Sequence, residues 1–484
     1  MAPTSRSERS AAPSESVSTI SASGPGNRPV LAVLGTGWAG FTLLQELSAS
    51  SLLKTHNVIV LSPARTMALT PLLASAACGI FDFRVAEEPV RRIGMMGRHA
   101  SSAGGGGGGG AAIQKYQVWV EDVDLRGRTL TCRPAVGSNG NERPSDGGSQ
   151  GTFDVRFDRL VVAPGSEVNT FGTPGVREHC LFMKSVSDAM ALKERVLDCF
   201  ELASLPGFSE GRRRDLLHFV IVGGGPTGVE LAAELDELVH GHLLEIYPDC
   251  RDLVSISVYD VADRMLGQFG EKLSEYAMEK FRRRDVNVRM SRHIQGFEKG
   301  VMSVKEDGEV GFGVAVWAAG NKTSGLVEGM KGVRKDDKGM LVTDQHLRVL
   351  GDGQGDGAVR GVYALGDAAG IDGNSLPATA EVAVQKAKWL AQHLIDSADD
   401  ELAFGSSRAA QVKGQGFQYE QKALVAYIGR KDGVVDGGGA WTGKSAWLAW
   451  RGGSLQWSRS WRRKAMMLVY WVMNKWDGRE IARR

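Results

Sequence analysis

The chain has 484 residues, 42% hydrophobic and 24% charged, which supplies a large core, allows about three domains and excludes a wholly disordered polymer. Its +2 formal charge is uneven: Lys444 to the end carries +8, so the remainder carries −6, and such a basic tail suits an acidic surface. The five cysteines, Cys78, Cys132, Cys180, Cys199 and Cys250, form no CxxC pair, which argues against a zinc knuckle or a local redox disulfide and fits a reducing compartment.

Residues 1–29 are rich in Ser, Ala and Pro, with Arg6, Arg9 and Arg28; they read as a disordered tail or a transit segment, Glu8 and Glu15 counting against the latter. Val30 to Leu34 has the pattern of a buried parallel strand. It runs into Gly35-x-Gly37-x-x-Gly40 and an apolar-periodic helix. In such a loop the first glycine makes the tight turn, the second lets the backbone approach a pyrophosphate, and the third lets helix and strand pack closely. The phosphates then face free N–H groups at the helix start. The second strand, Asn57 to Leu61, ends at Ser62-Pro63, where a dinucleotide site ordinarily has an acid for the ribose.

An apolar stretch from Leu69 to Phe83 turns charged at Glu87 to Arg92. Gly104 to Gly110, within an insert at 100–111, is expected to be disordered, as is the polar loop 136–151. Strand patterning resumes at Val118 to Val120 and Thr129 to Cys132, and again from Phe157 into a turn at Pro164-Gly165; residues 185–202 have helical spacing. A second strand–glycine–helix unit follows, with Gly223, Gly225, Pro226, Thr227 and Gly228, 188 residues on from the first. Its next strand, Val254 to Tyr259, ends at Asp260, a carboxylate suited to a ribose diol. After a helix near 271–284, the strand from Val314 turns at Ala319-Gly320.

A charged hairpin near 331–357 leads to a strand ending in Gly366-Asp367. The next helix is expected to start near Ser375-Leu376-Pro377, with Ala380, Ala383, Ala387, Leu390 and Leu394 on its inner face and Glu381 beside Gln385. A linker is expected near 396–410. No uncharged run reaches the ~20 residues of a membrane span; the longest, 29–45, holds the first glycine loop. Seven of the eleven tryptophans lie from Trp441 onward, interleaved with Arg451, Arg459, Arg462, Arg463 and Lys464. That composition fits an interfacial anchor on anionic lipid; packing of the same rings into the body or a dimer interface stays open beside it. Asp352 to Gly357 lacks the closing Glu of a calcium loop, and no metal site or nucleic-acid fold is expected.

Two glycine loops on strands, with Gly366-Asp367 before a late helix, make the pattern of a two-dinucleotide flavoenzyme. More specifically, the chain resembles the type II NADH:quinone oxidoreductases, the single-subunit alternative NADH dehydrogenases of respiratory membranes. The resemblance is carried by Gly35 to Gly40, Thr70-Pro71-Leu72-Leu73, Asn169 to Val176, Gly223 to Glu230, Tyr363 to Ala369, the helix Leu376 to Leu394 and the ending Tyr427 to Arg479, and covers about residues 30–480.

The resemblance implies an α/β chain of two Rossmann-like dinucleotide-binding domains plus a C-terminal membrane-associating region. An FAD-binding domain would comprise 30–212 and 331–398, an NADH-binding domain 213–330, and a membrane-anchoring and dimerisation region 399–484. FAD would be held by Gly35, Gly37, Trp38, Gly40, Ser62, Pro63, Pro164, Gly165, Gly366 and Asp367. NADH would be held by Gly223, Gly225, Pro226, Thr227, Gly228, Asp260, Ala319 and Gly320, with Glu230 near the nicotinamide. Asp260 would repel a 2′-phosphate and favour NADH over NADPH, an effect Arg264 could soften. The family's quinone helix carries A-Q-x-A-x-Q; here it reads Ala380 to Gln385 with Glu381 replacing a Gln, either charged beside the quinone or protonated if buried. The implied activity is FAD-dependent oxidation of NADH with two-electron reduction of ubiquinone and no proton pumping. The implied setting is peripheral, on the mitochondrial inner membrane, as a homodimer on an anionic surface. The rivals are a soluble disulfide reductase, which needs a redox Cys pair, and a flavoprotein of the apoptosis-inducing-factor type.

Overall fold

The computed structural model describes residues 19–20, 28–93, 113–136, 151–353, 357–397 and 415–481. The expectations for the N-terminal tail, the glycine insert, most of loop 136–151, the middle of 352–357 and the linker after 397 fall largely outside these residues.

The first parallel unit is built on β1 (Val30–Leu34), all five residues buried, which pairs in register with β2 (Asn57–Leu61). Beyond them lie β3 (Gln114–Tyr116) on one side and β4 (Arg159–Val162) on the other. The chain then leaves to form a second, all-parallel sheet of β5 (His218–Val222), β6 (Ser255–Tyr259), β7 (Val286–Arg289) and β8 (Val314–Trp317), in the order β7-β6-β5-β8. It returns with β9 (Leu341–Thr343), β10 (Arg348–Leu350), β11 (Ala358–Ala364) and β12 (Ala369–Ile371). These complete the first sheet as β12-β9-β10-β11-β4-β1-β2-β3, with β11 parallel to β4. Uninterrupted apolar strands are what a parallel sheet covered on both faces demands.

Helix α1 (Trp38–Ser48) follows the first glycine loop and α2 (Val186–Ala203) bridges the sheets. A reciprocal cap starts α2: the Ser185 hydroxyl accepts from the Asp188 N–H at 3.1 Å, and the Asp188 carboxylate accepts from the Ser185 N–H at 2.7 Å. Helix α3 (Pro226–Leu238) follows the second glycine loop, and α4 (Ala380–Asp396) packs on α1. One core is continuous from Leu31 and Val33 through Leu192 and Phe200 to Phe219 and Ile221, so the two sheets share buried side chains.

The start of α4 differs from expectation. Its N-cap is Thr379, whose hydroxyl accepts from the Val382 N–H at 3.4 Å. A cap at Ser375 would need donors two and three residues on, and Pro377 has no N–H; Leu376, preceding proline, is also disfavoured in helix. Ala383, Ala387, Leu390 and Leu394 are buried on its inner face, joined by Val382 and Lys386, while Ala380 is half-buried.

The C-terminal unit is an antiparallel sheet of β13 (Leu424–Gly429), β14 (Asp432–Asp436) and β15 (Ala440–Thr442), then α5 (Lys444–Trp457) and α6 (Trp461–Trp476). Strand β13 lies on α3. The tryptophans divide: Trp450 is 4% exposed, whereas Trp461 and Trp476 are 79% and 84% exposed. Among the described residues no helix is long and apolar enough to cross a membrane.

Candidate active site

The two glycine loops sit at the carboxyl ends of β1 and β5, and each uses its glycines in the same three ways. Gly35 has φ +92°, and a Cβ there would lie 2.2 Å from the Ala163 carbonyl; a Cβ on Gly40 would lie 2.1 Å from the Gly35 carbonyl. In the second loop Gly223 has φ +118°, and a Cβ on Gly228 would lie 1.9 Å from the Gly223 carbonyl. These four glycines are required by the protein's own packing.

Gly37 and Gly225 are different. Their φ values of −71° and −74° suit any residue, and nothing lies within 4 Å of an added Cβ at either. The N-caps of α1 and α3 are these two glycines, so no N-cap side chain satisfies the helix-start N–H groups, and no other side chain does so among the described residues. Two bare helix starts fit two anionic pyrophosphates.

Around the first loop, Ser62 is buried and its hydroxyl is 2.8 Å from that of Thr36, with Pro63 next to it half-buried. Ala163 packs on Gly35, and the following Pro164-Gly165 turn leaves open space beside Gly165, at φ +78°. Gly366 has φ +72° and packs against Ala39. The neighbouring Asp367 carboxylate accepts from the Ser166 hydroxyl at 2.9 Å, and Lys184 Nζ donates to Ser166 Oγ at 3.2 Å. Trp38 donates its indole N–H to Thr70 Oγ1 at 3.1 Å.

Around the second loop, Asp260 accepts from the Gly224 N–H at 2.5 Å and the Ala262 N–H at 2.9 Å. Arg264 points toward Glu271, at 3.8 Å. Thr227, in the first turn of α3, is exposed. Ala319 is half-buried, and a Cβ on Gly320 would collide with the Phe171 ring at 2.6 Å.

The carboxylates named from sequence have distinct surroundings. Glu230, one turn into α3, is buried against the C-terminal unit; it accepts from Trp450 Nε1 at 2.9 Å and the Tyr427 N–H at 3.3 Å. Burial pushes its carboxyl up to about 8, against the lowering effect of those two bonds. Glu381 is half-buried and lies 2.6 Å from Lys422 Nζ, while Gln385 Nε2 donates to it at 2.7 Å. Burial raises the Glu381 carboxyl, but Lys422 and Gln385 outweigh that and hold it below the ordinary carboxylate range, so the side chain is charged and not protonated. Gln385 is further tied to the Glu420 backbone at 3.0 and 3.1 Å.

The model of the family described as pyridine nucleotide-disulphide oxidoreductase matches residues 29–387. The internal alternative NAD(P)H-ubiquinone oxidoreductase A1 of Arabidopsis thaliana is 30% identical over 480 residues, covering 95% of this chain and 86% of the relative. The chain belongs to the alternative NAD(P)H-ubiquinone oxidoreductases, within the pyridine nucleotide-disulphide oxidoreductase family. An external alternative enzyme of Solanum tuberosum, B1, is 40% identical over 346 residues, 70% of this chain. The chain spans about half the length of the external relatives it matches, 55% in that case. The structure of NDH2 from Plasmodium falciparum in complex with NADH has the same fold, with TM-score 0.80 at 21% identity over 94% of this chain and all of that one.

All five cysteines are buried and free, and burial raises the thiols of Cys132 and Cys180 to about 12. Sequence reasoning missed Ser166, Lys184, Tyr427 and Trp450. Of these, Tyr427 lay in the C-terminal segment that carries the family resemblance and Trp450 in the Trp-rich tail, but neither signal pointed to Glu230.

Proposed function

We propose that this chain oxidises NADH with a bound FAD and reduces a membrane ubiquinone by two electrons, without pumping protons, at the surface of the mitochondrial inner membrane. The pair of glycine positions left open for no internal reason, Gly37 and Gly225, is the observation that carries the reading, because it calls for two dinucleotides. The relatives' names, alternative NAD(P)H-ubiquinone oxidoreductases of mitochondria, supply the donor and acceptor.

On this reading the first loop, Gly35, Gly37, Trp38 and Gly40, with Ser62, Pro63, Pro164, Gly165 and Gly366, holds FAD. Asp367, oriented by Ser166, accepts from its ribityl hydroxyls. When bound, FAD supplies the two-electron carrier between nicotinamide and quinone. Gly223, Gly225, Pro226, Thr227, Gly228, Ala319 and Gly320 hold NADH, and Asp260 accepts from its ribose diol. With Arg264 turned to Glu271, the Asp260 carboxylate keeps its repulsion of a 2′-phosphate, so NADH is preferred. Glu230, protonated at neutral pH, keeps the buried wall behind the nicotinamide uncharged. Glu381 and Gln385 present a charged, hydrogen-bonded pair toward the acceptor side.

The membrane contact is the outer face of α6, where Trp461, Leu468, Val469, Val472 and Trp476 are exposed on one stripe beside Arg462 and Lys464. An apolar stripe flanked by cations suits an anionic lipid interface. Pairing of two copies through the same region is part of the proposal and is read by sedimentation of the detergent-free protein.

Anaerobic stopped-flow tests the core reading. NADH should bleach the flavin and a short-chain ubiquinone should restore it; a protein that carries no flavin, or that bleaches without recovery, removes the assignment. For the membrane face, Val469→Glu with Val472→Glu should abolish liposome flotation while leaving flavin content intact, and undiminished flotation rejects that face.

A further inference from the structure

We propose that Phe171 is the residue that recognises the nicotinamide ring of NADH, and that the strained backbone beneath it is kept for that contact. The proposal rests on the NADH-oxidising reading and adds a specificity residue to it. Phe171 has φ +52°, in the left-handed region that a bulky side chain rarely adopts. It is nonetheless 66% exposed, so burial does little to offset the strain. The loop around it holds it there. The Asn169 side-chain oxygen accepts from the Phe171 N–H at 2.8 Å, the Asn169 N–H donates to the Gly320 carbonyl at 3.3 Å, and the Asn169 carbonyl accepts from Trp317 Nε1 at 3.0 Å. Just before the loop, Ser166–Val168 pairs antiparallel with Asn321–Thr323. The Phe171 ring is thereby laid over Gly320, which is itself exposed; an added Cβ there would lie 2.6 Å from two ring carbons. A strained residue that its surroundings over-determine, and whose side chain is left in the open, has the character of a ligand contact.

The place of the ring selects the part of the dinucleotide it meets. In the order β7-β6-β5-β8 the chain runs from β5 to β6 and β7 on one side, and β8 returns on the other. The crevice between the carboxyl ends of β5 and β8 is therefore the topological switch point, where a dinucleotide crosses the sheet. Asp260 ends β6 and is assigned the ribose of the adenosine half, so the nicotinamide half belongs on the β8 side. Gly320 follows β8, and the backbone just before it abuts the second glycine loop: a Cβ on Gly223 would lie 2.9 Å from the Ala318 carbonyl. The segment that carries Phe171 begins at Ser166, whose hydroxyl donates to Asp367 of the site assigned to FAD. Phe171 thus stands at the nicotinamide end, next to the place where nicotinamide and flavin must meet. An exposed, uncharged aromatic face suits a planar heteroaromatic ring, and stacking of that kind is worth about tenfold or more in affinity.

The test compares full-length wild-type holoenzyme with Phe171→Gly, Phe171→Leu and Phe171→Tyr. The probes are tetrahydro-NADH, which cannot give up a hydride, and ADP-ribose, which lacks the nicotinamide; calorimetric titration reads both. The expected result is a Kd for tetrahydro-NADH raised at least tenfold in Phe171→Gly and Phe171→Leu, with ADP-ribose binding within twofold of wild type. Phe171→Tyr, which keeps the ring, should bind tetrahydro-NADH within threefold of wild type. Glycine relieves the left-handed strain, so the thermal midpoint of Phe171→Gly should equal or exceed that of wild type while its affinity falls. Tetrahydro-NADH binding within twofold of wild type in Phe171→Gly and Phe171→Leu overturns the proposal. ADP-ribose binding weakened by the same factor as tetrahydro-NADH, or a Phe171→Gly midpoint lowered together with affinity, also overturns it, since either marks a loop that shapes the fold and not a ring that meets the nicotinamide. A wild-type enzyme that binds tetrahydro-NADH yet is not bleached by NADH defeats the functional reading itself, before any variant is compared.

Discussion

Replacing Arg479 with methionine removes the charge that ties the chain's end to the body. Arg479 Nη1 is 3.2 Å from Glu234 Oε2 and donates to the Cys78 carbonyl at 3.1 Å; Nη2 is 2.6 Å from Glu237 Oε2. The Arg479 side chain is 5% exposed and that of Glu234 3%, so the substitution leaves a buried carboxylate without its cation. Breaking one side of a buried pair in this way costs about 3–5 kcal/mol. If the whole chain melts as a unit, its unfolding entropy of about 1 kcal/mol/K converts that to a fall of roughly 3–5 °C. The sign of the pH dependence follows from Glu234. Burial raises its carboxyl above the ordinary value although Arg479 lowers it, and removing Arg479 raises it further. A carboxyl higher in the native than in the unfolded state is stabilising when protonated and loses that advantage as pH rises. The deficit of Arg479→Met relative to wild type should therefore be larger at pH 8 than at pH 5.5. Differential scanning calorimetry at both pH values measures it, and adding Glu234→Gln should recover part of the loss at pH 8. A midpoint within 1 °C of wild type at pH 8, or a double variant no more stable than Arg479→Met, refutes the reasoning.

Gly37→Ala should fold with the wild-type thermal midpoint when stripped of cofactor but lose at least tenfold in flavin affinity, because its Cβ meets only the proposed ligand; Gly35→Ala should lower the midpoint itself, its Cβ colliding with the Ala163 carbonyl. Flavin absorbance after gel filtration distinguishes the two. Asp260→Ala with Val261→Arg should shift the NADPH-to-NADH ratio of kcat/KM upward by at least tenfold, read in steady state. In the wild type, Glu230 titrates at about 8 when folded and near 4.5 when unfolded, so its contribution to stability is full below about 4.5 and is lost as pH rises to about 8. Glu230→Gln should flatten that dependence in urea titrations taken across the same range.

The sheets and their glycine turns could be read directly from the residues, because a parallel strand buried on both faces must be a short apolar run and a close helix–strand contact must be glycine. Gly35, Gly40, Gly223 and Gly228 obey that local rule, and β2 spans the residues expected of it. The N-cap of α4 lies four residues beyond Ser375 because Thr379 offers the same hydroxyl, whereas after Ser375 Pro377 lacks an N–H and Leu376 precedes a proline. In the C-terminal region composition left two readings open, lipid contact and packing into the body. The tryptophans and arginines of that region look alike along the chain, yet Trp450 turns in to Glu230, Arg479 turns in to Glu234, and Trp461 and Trp476 turn out to solvent.

Local chemistry along the backbone was therefore enough to establish two nucleotide-type loops, their strands and the acid that follows the second. The long-range hydrogen-bond and ion-pair partners of Glu230, Glu234, Glu381 and Arg459 lie between 41 and 417 residues away in sequence and were decided only by how the C-terminal region packs on α1, α3 and α4. Backbone turns are governed by neighbours along the chain, whereas a buried charge or donor takes whatever partner the packing of distant elements delivers to it.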